Sequence, residues 1–169
     1  MGTDSLGRDL AKGLLFGLPI ALFIGISVSL ITSLVGTFLG ILSGYAGNKT
    51  DIVIQRVADI TANVPLLPLL IFLVFIFGSK LFLIILFLIA FSWPGLTILI
   101  RSMVIQLRSG QLVETATVLG ASKWRVMRRY LFPHTAPFVF AQMIFLTPAA
   151  ILAEAGLSFL GLGDPSLPT

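Results

Sequence analysis

ITANVPLLPLLIFLVFIFGSKLFLIILFLIAFSWPGLTILI, residues 60–100, contains one charged residue, Lys80. Ile60 to Ser79 and Leu81 to Ile100 are each 20 residues long, and a helix needs about 20 apolar residues to cross a bilayer. The first run holds 13 residues of Leu, Ile, Val or Phe. At roughly −0.3 to −0.6 kcal/mol each they favour insertion by about 4 to 8 kcal/mol, and no charge costing about 3 kcal/mol stands at the centre. The two runs cannot form one helix, because forty residues would reach about 60 Å, twice the hydrocarbon thickness. The break falls at Gly78-Ser79-Lys80, where glycine permits the turn and lysine can reach the interface. This stretch therefore reads as a tight helical hairpin.

Working outward, Gly13 to Asn48 is charge-free over 36 residues and Tyr130 to Ala153 over 24. The first is about 54 Å long if fully helical, and it reads as one tilted or protruding helix with ends near Lys12 and Tyr45. Small residues recur along it at Gly17, Ala21, Gly25, Ser29, Ser33 and Thr37, with a second stripe of Gly36, Gly40 and Gly44. Lipid tails do not drive helices together, so such stripes mark close packing. The seam lies within the chain's own bundle, at a subunit interface or along a pathway. The later spans all carry proline: Pro65 and Pro68, Pro94, and Pro148. The expectation is a single all-α transmembrane domain over residues 1–169. Its four spans lie near 14–45, 58–78, 81–101 and 134–154, with a long loop at about 102–133.

Composition excludes the other classes. The chain is 57% hydrophobic and 11% charged, with a mean hydropathy of +1.06, whereas soluble domains carry about 25% charged residues. Disordered chains are polar, and outer-membrane barrels alternate apolar and polar residues instead of presenting long apolar blocks. The absence of cysteine removes disulfides, thiolate nucleophiles and Cys-based metal sites. A net charge of +4 in so apolar a chain reads as a positive face beside a membrane, not as a nucleic-acid footprint.

Arg101 to Arg129 carries Arg101, Arg108, Lys123, Arg125, Arg128 and Arg129 against Glu114 alone, so this loop is expected in the cytoplasm. Lys49 and Arg56 against Asp51 place the 47–56 connection on the same side, two spans earlier. Both ends of the chain then fall outside. Four spans with outside ends read as a piece of a longer protein lacking a helix at each end.

Within the loop, Leu112, Val113, Ala116 and Leu119 give Gln111 to Leu119 helical character. Gly120 interrupts it, and Ser122 can cap a second helix in which Trp124, Met127 and Leu131 share a face. Pro133 is expected to end that helix. Two short helices along the cytoplasmic surface suit an interfacial lipid-binding element as well as a docking element for a soluble partner.

Glu114-Thr115-Ala116, three residues, Gly120, nine residues and Tyr130-Leu131-Phe132-Pro133 resemble the EAA loop of ABC-transporter permeases, whose pattern is EAA, three residues, Gly, nine residues, Ile-x-Leu-Pro. Thr115 stands for the first Ala, Tyr130 for Ile and Phe132 for Leu. Gly2 to Asp9, Leu119-Gly120-Ala121-Ser122 and Ile151 to Gly163 resemble the dipeptide, oligopeptide and nickel branch of those permeases. The resemblance covers nearly the whole chain in order, which would supply helices two to five of six in a type I importer bundle.

The resemblance implies the permease subunit of an ATP-driven importer of di- or oligopeptides in the cell's inner membrane. Its partners would be a homologous second permease, two cytoplasmic ATPase subunits and an extracytoplasmic solute-binding protein. Glu114, Thr115, Ala116, Gly120, Ala121, Ser122 and Pro133 would form the ATPase-coupling loop, and Gly36, Gly40 and Gly44 a packing seam. ATP and magnesium would belong to the ATPases, with no cofactor on this chain. Nickel and oligosaccharides remain open as solutes, and a passive channel or scaffold is the rival class.

The remaining polar residues carry less. Asp59 and Asn63 lie one turn apart and suit an interface or a helix N-terminus. Glu154 suits a structural role, or a contact with the partner or the binding protein. His134 has no second ligand nearby for a metal. Asn48-Lys49-Thr50 matches a glycosylation sequon but falls on the cytoplasmic side. No HExxH, GxSxG or P-loop pattern occurs.

Overall fold

The computed structural model describes residues 10–163, and every element among them is helical. The stretch Gly2 to Asp9 that figures in the resemblance lies outside the described residues. Helix α1 (Leu10–Ala46) is one unbroken helix of 37 residues with Pro19 inside it. It stops where Gly47 and Asn48 both take positive φ, 64° and 48°.

The expected span at 58–78 is two helices, α2 (Asn48–Ala62) and α3 (Leu66–Phe77). Pro65 is the cause. It has no N–H to give and disfavours helical geometry at Val64, and it caps α3 in an extended conformation (φ −65°, ψ 113°). Asn63 N–H donates to the Asp59 carbonyl at 3.1 Å, and the Asn63 side-chain amide donates to the same oxygen at 2.7 Å. Asp59 therefore stands in the last turn of α2, not at a helix N-terminus. Pro68 falls in the first turn of α3, where N–H groups lack intrahelical partners in any case.

After Gly78 (φ 89°) the chain starts α4 (Leu81–Arg108). This helix continues past the expected end near 101, because Val104 is buried and Met103 and Leu107 pack against the core. Helix α5 (Gln111–Val118) follows, then α6 (Lys123–Val126), a π turn (Met127–Leu131) and α7 (Phe132–Phe159). Most of the expected 102–133 loop is thus helical, and the last span is not confined to 134–154. Pro133 does not end a helix. It sits inside a continuous helical stretch, Lys123–Phe159. The ladder shifts to i+5 just before it, with Phe132 N–H bonding the Met127 carbonyl, and a π turn widens a helix, which accommodates the ring.

Three helical stretches are long and apolar enough to cross a membrane: Gly13–Ala46, Leu81–Arg108 and Lys123–Phe159. A fourth counts only if α2 and α3 form one broken crossing. Over the described residues the chain is an all-helical membrane-spanning protein with three spans, or up to four.

The fold divides into two compact units, and α1, α4 and α7 each contribute to both. One comprises residues 10–30, 65–89 and 145–163. Its core is Ile24 and Val28, Leu70 and Val74, Ile84 and Leu88, with Ala150 and Leu157. Gly25 brings α1 against α7, where a Cβ would meet Ile151 Cγ1 at 2.8 Å and the Thr147 carbonyl at 2.9 Å. Thr147 Oγ1 donates to Ser29 Oγ at 2.9 Å. Glu154 is 7% exposed and accepts from Ser158 Oγ at 2.7 Å. The other unit comprises Ile31–Val64 and Ala90–Ile144 and holds the candidate site.

Candidate functional site

Helices α1 and α4 meet along the glycine stripe. A Cβ on Gly36 would lie 3.1 Å from Leu96 Cβ, one on Gly40 2.7 Å from Ile100 Cβ, and one on Gly44 2.9 Å from the Arg101 carbonyl. With no side chain on α1, the two backbones approach closely, which is how small residues join helices in lipid. Thr97 Oγ1 uses the proximity to donate to the Gly36 carbonyl at 3.2 Å. Also on α1, Thr32, Ser33 and Thr37 are buried, and their hydroxyls have no hydrogen-bond partner among the described residues.

The end of the seam is clamped by charge. Arg101 donates from Nε to Asp51 Oδ1 and from a terminal nitrogen to Oδ2, both at 2.6 Å. Ser43 Oγ donates to Asp51 Oδ1 at 2.5 Å and accepts from Gln55 Nε2 at 3.2 Å. One carboxylate thus joins α1, α2 and α4, and a two-pronged Arg–carboxylate pair fixes orientation as well as distance. Beside it the Arg108 guanidinium lies 5.9 Å from the centre of the Tyr45 ring, a cation–π distance.

From the end of α4 the chain turns at Gly110 into α5 and then through an elbow into α6. Gly120 N–H bonds the Thr117 carbonyl and Ala121 N–H the Ala116 carbonyl, each at 3.0 Å. This pair of bonds around one left-handed residue is the Schellman motif, and Gly120 is that residue at φ +81°. A Cβ there would meet nothing within 4 Å, so glycine serves the turn and not a close approach within this chain. Ser122 restarts the helix, its Oγ accepting from Arg125 N–H at 3.4 Å.

The elbow has two faces. Val113, Val126, Met127 and Leu131 are buried in a core with Ile41, Ile100 and Val104, which holds α5 and α6 onto α1 and α4, and Ala116 is buried as well. The other face is bare. Val118 and Leu119 are each 81% exposed and Trp124 60%, and Glu114, Thr115 and Ser122 are exposed beside them. A cleft of about 550 Å³ opens there, with Tyr45, Arg108, Glu114, Thr117, Val118 and Lys123 among its lining. Beyond the π turn, His134 Nδ1–H donates to the Tyr130 carbonyl at 2.6 Å. Among the described residues no three His, Asp or Glu side chains group as metal ligands would.

The structure therefore gathers Glu114, Thr115, Ala116, Gly120, Ala121 and Ser122 at one elbow. Pro133 lies farther along, on the helix that leaves it, and Gly36, Gly40 and Gly44 lie on the seam beneath. Asp51 and Arg101 stand in different loops by sequence, so charge counts alone do not pair them. The signal that could have found the pair is the position of Arg101 directly after twenty uncharged residues, where an arginine needs a partner.

The model of a family described as binding-protein-dependent transport system inner membrane component matches residues 36–169. The chain is 36% identical over 96% of its length to the dipeptide transport system permease protein DppC of Bacillus subtilis, covering 51% of that protein. It is 36% identical over 96% of its length to the oligopeptide transport system permease protein OppC of Haemophilus influenzae, covering 52%. To the glutathione transport system permease protein GsiD of Pectobacterium atrosepticum it is 33% identical over 99% of its length, covering 56%. The chain spans about half the length of these relatives.

Proposed function

This chain belongs to the family of binding-protein-dependent transport system inner membrane components, and from that premise we propose that it works as a permease subunit of an ATP-driven importer of di- or oligopeptides. The observation that carries the mechanism is the elbow. Its exposed face offers Val118, Leu119 and Glu114, while its buried face is fixed to two long apolar helices. The helix that leaves it runs without a break from Lys123 to Phe159. A soluble ATPase gripping the exposed face would move that helix as a lever, and the seam and the Asp51 clamp would carry the motion into α1 and α4. Differential contact with the elbow in the two nucleotide states is what coupling requires.

In this reading the elbow faces the cytoplasm, the ends of the chain face outward, and the protein resides in the cytoplasmic membrane. A homologous second permease completes the pathway, two ATPase subunits hydrolyse ATP, and an external binding protein delivers the solute. Peptides are favoured over nickel or oligosaccharides because the relatives are named for dipeptide, oligopeptide and glutathione transport.

The test uses the full-length protein reconstituted in proteoliposomes with its permease, ATPase and binding-protein partners. Labelled dipeptide uptake should require ATP, and unlabelled peptides should compete where nickel and oligosaccharides do not. Exchanging Glu114 for Ala together with Gly120 for Leu should release the ATPase from the membrane complex. ATPase retention and undiminished uptake in that double variant would remove the elbow from the mechanism.

A further inference from the structure

Two cavities beside the α6–α7 helix share Trp124 and Arg128 in their linings. The first, of about 520 Å³, is lined by Arg125, Arg128 and Arg129 with Ser122, Trp124 and Pro133. The second, of about 420 Å³, runs between α1 and the π turn and is lined by Leu34, Phe38, Ile41, Met127 and Phe132, with Thr37. No carboxylate lines either one. The first is therefore a dense positive site, and the second is an apolar groove along a membrane span.

The charge and the groove together select the occupant. The groove follows α1 from Ile41 to Leu34, about 10 Å along the helix axis, well within one leaflet of a hydrocarbon layer about 30 Å thick. A soluble protein does not enter that layer, whereas an acyl chain does. Three guanidiniums at the open end suit a phosphate, which arginine binds through paired N–H groups. Trp124 at the junction has the amphipathic ring that settles at headgroup depth. Basic pockets between spans are known to hold anionic lipid headgroups.

We propose that the paired cavities form a site for one anionic diacyl phospholipid. Arg125, Arg128 and Arg129 hold its phosphate, and one acyl chain lies in the groove over Leu34, Phe38 and Phe132. The lipid pins the helix that leaves the elbow to the membrane interface. The inference needs only that Lys123–Phe159 crosses a membrane, so it stands apart from the identity of the transported solute.

The test measures lipid retention by native mass spectrometry on the full-length protein in mild detergent, with phosphatidylglycerol or phosphatidylcholine of identical chains. Phosphatidylglycerol should be retained at least roughly ten-fold better. Each basic residue near an anionic surface contributes about a five-fold preference, so replacing Arg125, Arg128 and Arg129 together by Gln should weaken phosphatidylglycerol retention by roughly 100-fold. Arg128→Lys should keep most of the preference, and Phe38→Ser should weaken both lipids alike. Unchanged phosphatidylglycerol retention in the triple variant overturns the proposal and would hand the arginines to a protein partner. Displacement of the lipid by millimolar inorganic phosphate alone overturns it too, leaving a phosphate site only. Either failure leaves peptide uptake, and the reading built on it, untouched.

Discussion

Gly40 and Gly120 belong to the same compact unit and are both glycine for opposite reasons. At Gly40 the backbone is ordinary helix and the surroundings are full, with the Thr97 carbonyl 2.8 Å from where a Cβ would stand. At Gly120 the surroundings are empty and the backbone is unusual, at φ +81°. The seam between α1 and α4 is constrained by contact, and the elbow between α5 and α6 by conformation. A contact constraint cannot be relieved without moving a helix. A conformational constraint can be met, at some cost, by another residue that tolerates positive φ. The seam is therefore the rigid half of the unit and the elbow the half that can yield.

The largest expected effect follows at the seam. Gly40→Val should disrupt folding of the full-length protein, because the added atoms collide with backbone and with Ile100 Cβ at 2.7 Å. Inserting methyl groups into a packed core costs about 1–3 kcal/mol, and Val exceeds Ala at every contact. The measure is the yield and thermal midpoint of monodisperse protein, with Gly40→Ala intermediate. A Val variant as stable as the parent would show that the seam opens freely and would erase the contrast with Gly120.

Much of this was legible in the sequence, for definite physical reasons. The glycine stripe announced a seam because its spacing places Gly36, Gly40 and Gly44 on one helical face, but nothing in the sequence said that α4 of this chain would fill it. The elbow was legible through Gly120 and Ser122, since helix stop and start signals are local. Prolines are less legible. Pro65 breaks the helix that the sequence predicts over 58–78, and Pro133 lies inside a helix that the sequence predicts it to end. The ring excludes the same i−4 carbonyl in both places. Near Pro133 the buried side chains of Met127 and Leu131 hold the helix in place while a π turn makes room. Around Pro65 the residues 62–65 are exposed, and no packing compels the helix to go on. Tertiary packing decided between two identical local signals, and a single sequence does not display it.

The clamp at the end of the seam gives a middle-sized prediction. Asp51→Asn removes the charge that both Arg101 nitrogens bind while keeping the side chain's shape. The side chains of Arg101 and Asp51 are 30% and 19% exposed, so water screens the pair and the loss should be about 1 kcal/mol, with Ser43 and Gln55 left to rearrange. Thermal unfolding of the full-length protein at low and high salt checks it. Asp51→Asn should lower the midpoint at low salt, and the gap to the parent should narrow as salt rises. An equal gap at every salt would mean that shape and hydrogen bonding, not charge, join α1, α2 and α4. The clamp would then be as rigid a constraint as Gly40.

The elbow gives an effect no larger than about that of the clamp, and it separates conformation from contact most cleanly. Gly120→Ala meets no atom, so its whole cost is the left-handed backbone, about 1 kcal/mol. Gly120→Asn should cost less, because asparagine tolerates that region, although its side chain is larger. At Gly40 the order reverses, since there Asn adds more colliding atoms than Ala. Thermal midpoints of the four variants would show the crossing. If Asn proved worse than Ala at both positions, bulk would govern the elbow as well, and some surface absent from this chain alone would have to lie against Gly120. An ATPase seated on the elbow, as proposed above, would be such a surface. Repeating the four measurements with the partner bound should therefore reverse the order at Gly120 and leave it unchanged at Gly40, because the seam's neighbours are already present within this unit.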